Sequence, residues 1–303
     1  MNCFLDICHE LGIPIAQDKL VGPVTNLIFL GLELDTLEMC IKIPAKKLES
    51  LITDLQYFLN QNRITLKNLQ SLVGSLNFFS KAVRSARAFN RRFYDLMSRA
   101  KKPYHFIKLN TETKEDMRMW LYFLQSFNGK TYFPQSSWSD SDVLELFTDS
   151  AGSADLGCGA YFSGQWAYFP WPKSWEEEGI LKDMTFLEFV PVVLAIAIWG
   201  DRFQNQKIIF NIDNLSLVNI LNSQTSKSKR VMALIRPFIL YTLRNNVVFK
   251  AKHIFSKSNF IADAISRQQW DRFRTLAPQA QLNPQEIPVS FRQMICKMKL
   301  NGL

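Results

Sequence analysis

From residue 143 onward the chain alternates short apolar strands with helices, and that alternation restricts its fold more than any other feature. Residues 143–148 alternate apolar and polar side chains as a half-buried strand does. Residues 158–162 and 165–169 flank Ser163-Gly164, a pair suited to a hairpin turn. A helix with Thr185 as its cap runs to Trp199, and residues 207–213 then form a buried strand. Residues 215–221 and 231–243 carry helical periodicity, 247–253 read as a last strand, and 261–267 as a last helix. Three strands followed by helix, strand, helix, strand, helix predict an α/β sheet of mixed polarity. Pro191 fits the first of these helices only if that helix begins near Glu188 and holds the proline in its first turn.

The first half is organised differently. Residues 4–35 read as a short helix, a turn at Gly12 and Pro14, and an apolar strand over 27–34 with Gly31 inside it. Between Pro44 and Phe127 the period is helical: Leu48, Leu51, Ile52, Leu55, Phe58 and Leu59 share one face. Behind a Thr65 cap, Leu66, Leu69, Leu72, Val73 and Leu76 share another, and Thr113 with Asp116 opens a further helix. The Ser- and Asp-rich residues 134–142 read as a linker.

Composition narrows the function classes. A net charge of +9 favours a polyanionic partner, nucleic acid first, because clustered positive charge attracts phosphates and releases their counterions. Five scattered cysteines fit a reducing, intracellular setting, nuclear or cytoplasmic, and argue against a disulfide framework. Cys3, Cys8 and His9 lack a second ligand pair at structural zinc spacing. The longest apolar run, 189–199, is too short to span a bilayer, so no membrane partner is expected.

Four acidic residues stand where a strand ends or a helix begins. Asp149 and Asp213 each close an apolar strand, Glu188 lies among Phe186, Leu187, Phe189 and Val190, and Asp263 lies in the final helix. An unpaired charge in such surroundings is costly, and Mg²⁺, which prefers hard carboxylate oxygens, compensates it. Each residue also has a plain structural reading: Asp213-Asn214 as a turn, Thr185-x-x-Glu188 as a capping box, Asp263 as a helix cap. Their joint order along the chain is what points to a shared site.

The segment from 143 to 267 resembles the RNase H domain of reverse transcriptases, with DIRS-like and gypsy-type retrotransposons the nearest kinds. The matches are Phe147-Thr148-Asp149-Ser150, Thr185-x-x-Glu188, Asn211-Ile212-Asp213-Asn214, and His253-x5-Asn259-x2-Ala262-Asp263-x2-Ser266-Arg267. The resemblance implies a five-stranded mixed sheet with flanking helices, and two Mg²⁺ ions (Mn²⁺ also suits the ligands) on Asp149, Glu188, Asp213 and Asp263. It further implies that His253 assists proton transfer and product release, and that an RNA/DNA hybrid is the substrate. Ser256 and Lys257 depart from the usual Gly-containing loop. Phe29-Leu30-Gly31 followed by Pro44 is similar to the end of a reverse-transcriptase palm, and residues 66–93 to the helical thumb and connection. The expected divisions are therefore 1–44 (palm end), 45–135 (thumb and connection), 142–269 (RNase H-like) and 270–303 (a tail of unassigned role). No Asp-Asp pair occurs in the sequence, so polymerisation is not expected of this chain alone, and an upstream polymerase portion on another chain is an expected partner.

The densest basic stretch holds Lys81, Arg84, Arg87, Arg91 and Arg92, then Arg99, Lys101 and Lys102, interleaved with Phe89, Phe93 and Tyr94. It reads either as a phosphate track or as a solvated helix face with its aromatics turned inward. Lys227, Lys229 and Arg230 form a second cluster with the same two readings. Asn214 and Asn259, beside two of the carboxylates, complete the expected nucleic-acid contacts.

Overall fold

The computed structural model describes residues 2–126, 130–134, 136–255 and 258–297, so the expectation for Ser256 and Lys257 and the last six residues of the expected tail lie outside the described residues. The chain begins with α1 (Asn2–Glu10), β1 (Asn26–Phe29), β2 (Leu32–Asp35) and β3 (Cys40–Lys42). The single strand expected over 27–34 is instead the hairpin β1–β2: Leu30 and Gly31 both adopt positive φ (48° and 82°), the backbone that a tight two-residue turn requires. Helix α2 (Ala45–Leu59) buries Leu48, Leu51 and Leu55 as its spacing predicts. After β4 (Arg63–Thr65), Thr65 Oγ1 accepts from the Asn68 backbone N–H at 3.2 Å and starts α3 (Leu66–Phe79).

Next come α4 (Arg91–Met97), β5 (Phe106–Lys108), α5 (Thr111–Ser126) and β6 (Lys130–Tyr132), which adds to the first sheet in the order β1-β2-β3-β6. Helix α5 starts before Thr113, because the Asn110 side chain takes the capping bond from the Thr113 N–H at 2.8 Å. Asp116 is therefore not part of a helix start. It is 1% exposed and accepts from Arg236 Nε (3.1 Å) and Arg92 Nη1 (3.4 Å).

The later elements are β7 (Trp138–Asp140), α6 (Ser141–Leu144), β8 (Leu146–Ser150), β9 (Gly157–Phe162), β10 (Gln165–Pro170), α7 (Ser174–Glu177), α8 (Met184–Trp199), β11 (Lys207–Ile212), α9 (Leu215–Ser223), α10 (Lys229–Arg244), β12 (Val248–His253), α11 (Phe260–Ser266), α12 (Trp270–Leu276) and α13 (Val289–Lys297). The expected hairpin at Ser163-Gly164 joins β9 and β10, with both turn residues at positive φ. The expected linker at 134–142 is not one: β7 pairs in parallel with β11, and Asp140 Oδ1 accepts from Asn211 Nδ2 at 2.7 Å. A run rich in Ser and Asp reads as a loop from composition, yet here its polar side chains complete hydrogen bonds inside the fold.

The fold is mixed α/β with several sheets. Strands β10-β9-β8 form one antiparallel sheet and β12-β11-β7 one parallel sheet. The sequence expectation was a single five-stranded sheet; among the described residues no ladder joins β8 to β11. Helix α6 sits at that seam instead, where Ser141 Oγ donates to the Ile209 carbonyl (2.6 Å) and accepts from the Asn211 N–H (3.2 Å). The hydroxyl thus satisfies backbone groups that a neighbouring strand would otherwise pair.

Helix α8 is capped by Asp183, whose carboxylate accepts from the Phe186 N–H at 3.1 Å, and not by Thr185. It begins ahead of Glu188, so Pro191 lies in the helix interior and removes the donor that the Leu187 carbonyl would use. Burial offsets that cost, since every residue from Phe186 to Ile196 is buried and a fully buried aliphatic or aromatic side chain contributes about 2 kcal/mol. With the short turn that follows, Met184–Phe203 is long and apolar enough to cross a bilayer, beyond what the run 189–199 suggested. Here it packs inside the core, against β8, β9 and α10. Phe238 of α10 meets Phe189, Phe210 and Phe249 at centroid distances of 5.5, 5.9 and 4.8 Å, so one ring joins α8, β11 and β12.

Helix α11 covers the other face of β8 and β9. A Cβ at Gly159 would lie 2.7 Å from Ile265 Cβ and 2.9 Å from the Ala262 carbonyl, so the missing side chain is what lets α11 approach. Gly159 pairs across the ladder with Asp149.

The buried core runs continuously from Ile43 on the helical side to Ile295 in α13. Asp116 is the charged pin across it, joining α4 and α5 to α10. Replacing Asp116 with Ala leaves two partly buried guanidinium groups without their acceptor, and the expected cost is about 3 kcal/mol of stability, read as a fall in the urea midpoint; an unchanged midpoint would mean the pin carries no load.

Candidate metal centre

Strand β8 carries Asp149 and Ser150 on opposite faces, as the two-residue period of a strand requires. Asp149 turns toward α11, where its Oδ2 accepts from Ser266 Oγ at 2.6 Å. Ser150 turns toward α8 and donates to Glu188 Oε1 at 2.9 Å. Both carboxylates are deeply buried, 6% and 9% exposed. Asp213 lies just past β11 and Asp263 within α11, both half-buried.

The electrostatics show that the four form a neighbourhood. Burial first, then the charges of Asp213 and Asp263, push the Asp149 carboxyl up to about 7 against the pull of the Ser266 hydrogen bond. Burial and then the charges of Asp149 and Asp213 push Glu188 well above the usual carboxylate range. Asp263 behaves oppositely. Its burial opposes ionisation, but hydrogen bonds from Arg267 Nε (2.6 Å) and Arg272 Nη1 (2.7 Å) outweigh it and hold the carboxyl below its ordinary value.

Among the described residues, neither Asp149 nor Glu188 has a cation as a hydrogen-bond partner; each accepts from one hydroxyl. A site of hard carboxylate oxygens, two of them buried and mutually repelling, fits a divalent cation of the Mg²⁺ or Mn²⁺ type. The four do not yet converge on one point: among the described residues, the group with three ligand atoms all within 4.8 Å is Asp35, Glu38 and Cys40. That group is already neutralised, since Lys42 reaches Asp35 at 2.7 Å and Glu38 at 3.3 Å, and Lys130 reaches Glu38 at 3.1 Å. Cys3 is exposed and Cys8 buried, both in α1.

The residues expected around the carboxylates occupy distinct places. His253 ends β12 opposite Ile212, and its Nε2 lies 3.2 Å from the Asp213 carbonyl oxygen, so it borders the site on its exposed side. Asn214 caps α9, accepting from the Leu217 N–H at 3.0 Å. Asn259 is 3% exposed and donates to the Thr148 carbonyl at 2.7 Å. Its placement locks α11 onto β8 beside Asp149 and leaves it little surface with which to touch nucleic acid.

The basic residues are scattered. Arg92 is committed to Glu112 and Asp116, and Arg91 to Asp95 at 3.0 Å, while Arg87 is exposed. Arg84 lines a separate cleft of about 720 Å³ together with Lys130 and Arg244. Lys227 and Lys229 are exposed, and Arg230 reaches Asp183 at 3.8 Å and lies over the Phe186 ring, at the start of the helix that carries Glu188. Four side chains that hold the site, Ser150, Ser266, Arg267 and Arg272, had no assigned role from the sequence. The first three lie inside the quoted motifs. Arg272 has no local signal at all, because only the return of α12 brings it to Asp263.

No protein-family model matches the chain, and no curated protein matches it. Several solved structures do, and two of them are as follows. One is a foamy viral protease-reverse transcriptase (dRH) in complex with double-stranded DNA, 16% identical over 82% of this chain and 41% of that one, with a TM-score of 0.37. The other is a foamy viral protease-reverse transcriptase in complex with an RNA/DNA hybrid, 16% identical over 82% of this chain and 33% of that one, with a TM-score of 0.35. The chain thus spans well under half the length of either.

The raised Asp149 carboxyl gives a pH prediction. Its folded value, about 7, exceeds the ordinary 3.8, so between those values the folded state binds more protons and stability falls as pH rises. In metal-free buffer, Asp149→Asn should therefore raise stability at pH 8 by about 2 kcal/mol and by much less at pH 5. Thermal melts at the two pH values test this; an equal shift at both would remove the burial argument.

Proposed function

We propose that the portion from β7 to α12 is an RNase H-type endonuclease that cleaves the RNA strand of an RNA/DNA hybrid. The observation that carries this reading is the pair of deeply buried carboxylates, Asp149 and Glu188, which feel each other's charge and those of Asp213 and Asp263 and whose hydrogen-bond partners among the described residues are hydroxyls. The motif resemblance and the net charge of +9 support the same reading.

Two Mg²⁺ ions, or Mn²⁺, held by Asp149, Glu188, Asp213 and Asp263 would supply Lewis-acid polarisation of a phosphodiester and a nucleophile at neutral pH. The chain's own residues set the conditions for that. Ser266 and Ser150 fix which oxygen of Asp149 and Glu188 faces inward by engaging the other. Asn259 holds α11 at its distance from β8, so the Asp149–Asp263 separation is set by a buried bond. His253, at the exposed rim beside Asp213, donates from Nε2 to the Asp213 carbonyl, which leaves Nδ1 as the nitrogen that would exchange a proton with the leaving 3′ oxygen. Selectivity for RNA comes from 2′-hydroxyl contacts and hybrid shape, and the products carry 5′ phosphate and 3′ hydroxyl ends. Of the basic residues that the sequence assigned to nucleic acid, Lys227, Lys229 and Arg87 are exposed and would meet the backbone.

A second reading concerns the N-terminal portion. Phe4, Ile28, Phe29 and Leu30 are 56%, 61%, 56% and 78% exposed, an apolar surface on α1 and the β1–β2 hairpin that favours docking of a polymerase portion carried on another chain.

The test of the nuclease is cleavage of an end-labelled RNA/DNA hybrid by the purified chain with Mg²⁺, beside Asp149→Asn and an all-DNA duplex. The expected result is Mg²⁺-dependent cutting of the RNA strand alone, lowered at least about 100-fold in the variant. A folded protein that binds the hybrid without cutting it would overturn the reading.

A further inference from the structure

Asp263 is the one carboxylate of the four with both oxygens taken by guanidinium groups. Arg267, one turn further along α11, donates from Nε to Oδ1, and Arg272 of α12 donates from Nη1 to Oδ2. Arg272 belongs to the segment past residue 269 that the sequence left as a tail. It is not a loose surface residue, because its helix is anchored on both sides of it. Phe273 is fully buried and packs on Trp166 at 5.2 Å and Tyr161 at 6.5 Å, and Trp270 meets Trp166 at 5.5 Å and Tyr168 at 5.6 Å. Gln269 Oε1 accepts a second bond from Arg272 Nη1 at 2.6 Å and helps to aim it.

A carboxylate bridged by two cations in this way is closed to a third. Both arginines are also half exposed, 49% and 45%, and Nη1 and Nη2 of Arg267 and Nε and Nη2 of Arg272 make no hydrogen bond among the described residues. A guanidinium offers five donors in a fork that suits phosphate as well as carboxylate. The same two side chains that hold Asp263 therefore present free donors at the mouth of the site.

We propose that Arg267 and Arg272 form a phosphate-operated latch: a phosphodiester backbone at the site draws the two guanidinium groups from Asp263 and frees that carboxylate to ligate a divalent cation. The inference rests on the nuclease reading and adds to it a reason for the tail helix, which carries one half of the latch. Binding of nucleic acid and binding of the cation are then coupled, and the coupling is reciprocal. Arg267 and Arg272 are positioning residues on this account.

The test measures Mn²⁺ affinity of the full chain by calorimetry without nucleic acid, for the native protein, Asp149→Asn, Arg272→Ala, Arg272→Lys and Asp263→Asn, with melting curves to establish folding. Arg272→Ala should bind Mn²⁺ about fivefold more tightly, Arg272→Lys should fall between it and the native protein, and Arg272→Ala should add nothing in the Asp263→Asn background. In EDTA, Arg272→Ala should bind an RNA/DNA hybrid several-fold more weakly, with a shallower salt dependence. If the native chain binds Mn²⁺ through Asp149 but Arg272→Ala leaves that affinity unchanged or weaker, the latch is wrong and the nuclease reading stands. If neither the native chain nor Arg272→Ala binds Mn²⁺ better than Asp149→Asn, the nuclease reading fails and takes the latch with it.

Discussion

The alternation of β8 sets the arrangement of the site. Consecutive side chains of a strand point to opposite faces, so Asp149 and Ser150 address α11 and α8, and the strand end becomes the place where two helices on opposite faces meet. The rest follows from how closely each helix approaches. Gly159, across the ladder from Asp149, has no Cβ to keep α11 away. On the other face the wholly apolar α8 is drawn into the core by burial, and Glu188 is carried in with it. A carboxylate at that depth is tolerated because Ser150 donates to it and because burial, which raises its carboxyl well above the usual range, favours the neutral form.

Charge in this protein divides into two kinds of use. Asp116, Arg92 and Arg236 are spent inside, pinning the helical portion to α10, and Lys42 and Lys130 neutralise the acidic turn of the first sheet. These pairs remove from the surface several residues that net charge alone would credit to nucleic-acid binding. The basic stretch from Lys81 to Lys102 is accordingly not one continuous track: Arg91 and Arg92 face acidic partners, Arg84 faces a cleft, and Arg87 faces water. On the proposed nuclease reading, the cations that bear on a phosphate backbone are the exposed ones beside the carboxylates, and two of these, Arg267 and Arg272, already touch Asp263.

The four carboxylates stand out in the sequence because each interrupts an apolar pattern, and such interruptions are costly unless something compensates them. The hairpin at Leu30-Gly31 and the parallel strand at 138–140 were not legible. A two-residue turn leaves no polar gap in an apolar run, and a strand of Trp, Ser and Asp has a linker's composition until Lys207–Ile209 pair with it. Thr185 and Thr113 were misread as helix starts for a related reason: Asp183 and Asn110, a few residues earlier, already cap these helices by accepting from the Phe186 and Thr113 N–H groups, and only the helix geometry decides which capping residue is used.

By itself, then, the sequence determined the mixed α/β class of the fold and many of the strands and helices of the second half, since these are written in local periodicity, and it marked four acidic positions where a charge breaks that periodicity. The tertiary structure decided which hydroxyl holds which carboxylate, that Asn259 faces inward, that the sheet is split at α6, and that Arg272 returns to Asp263. Those are contacts between residues far apart in the chain, and they depend on the direction in which packed elements face, which no local pattern encodes.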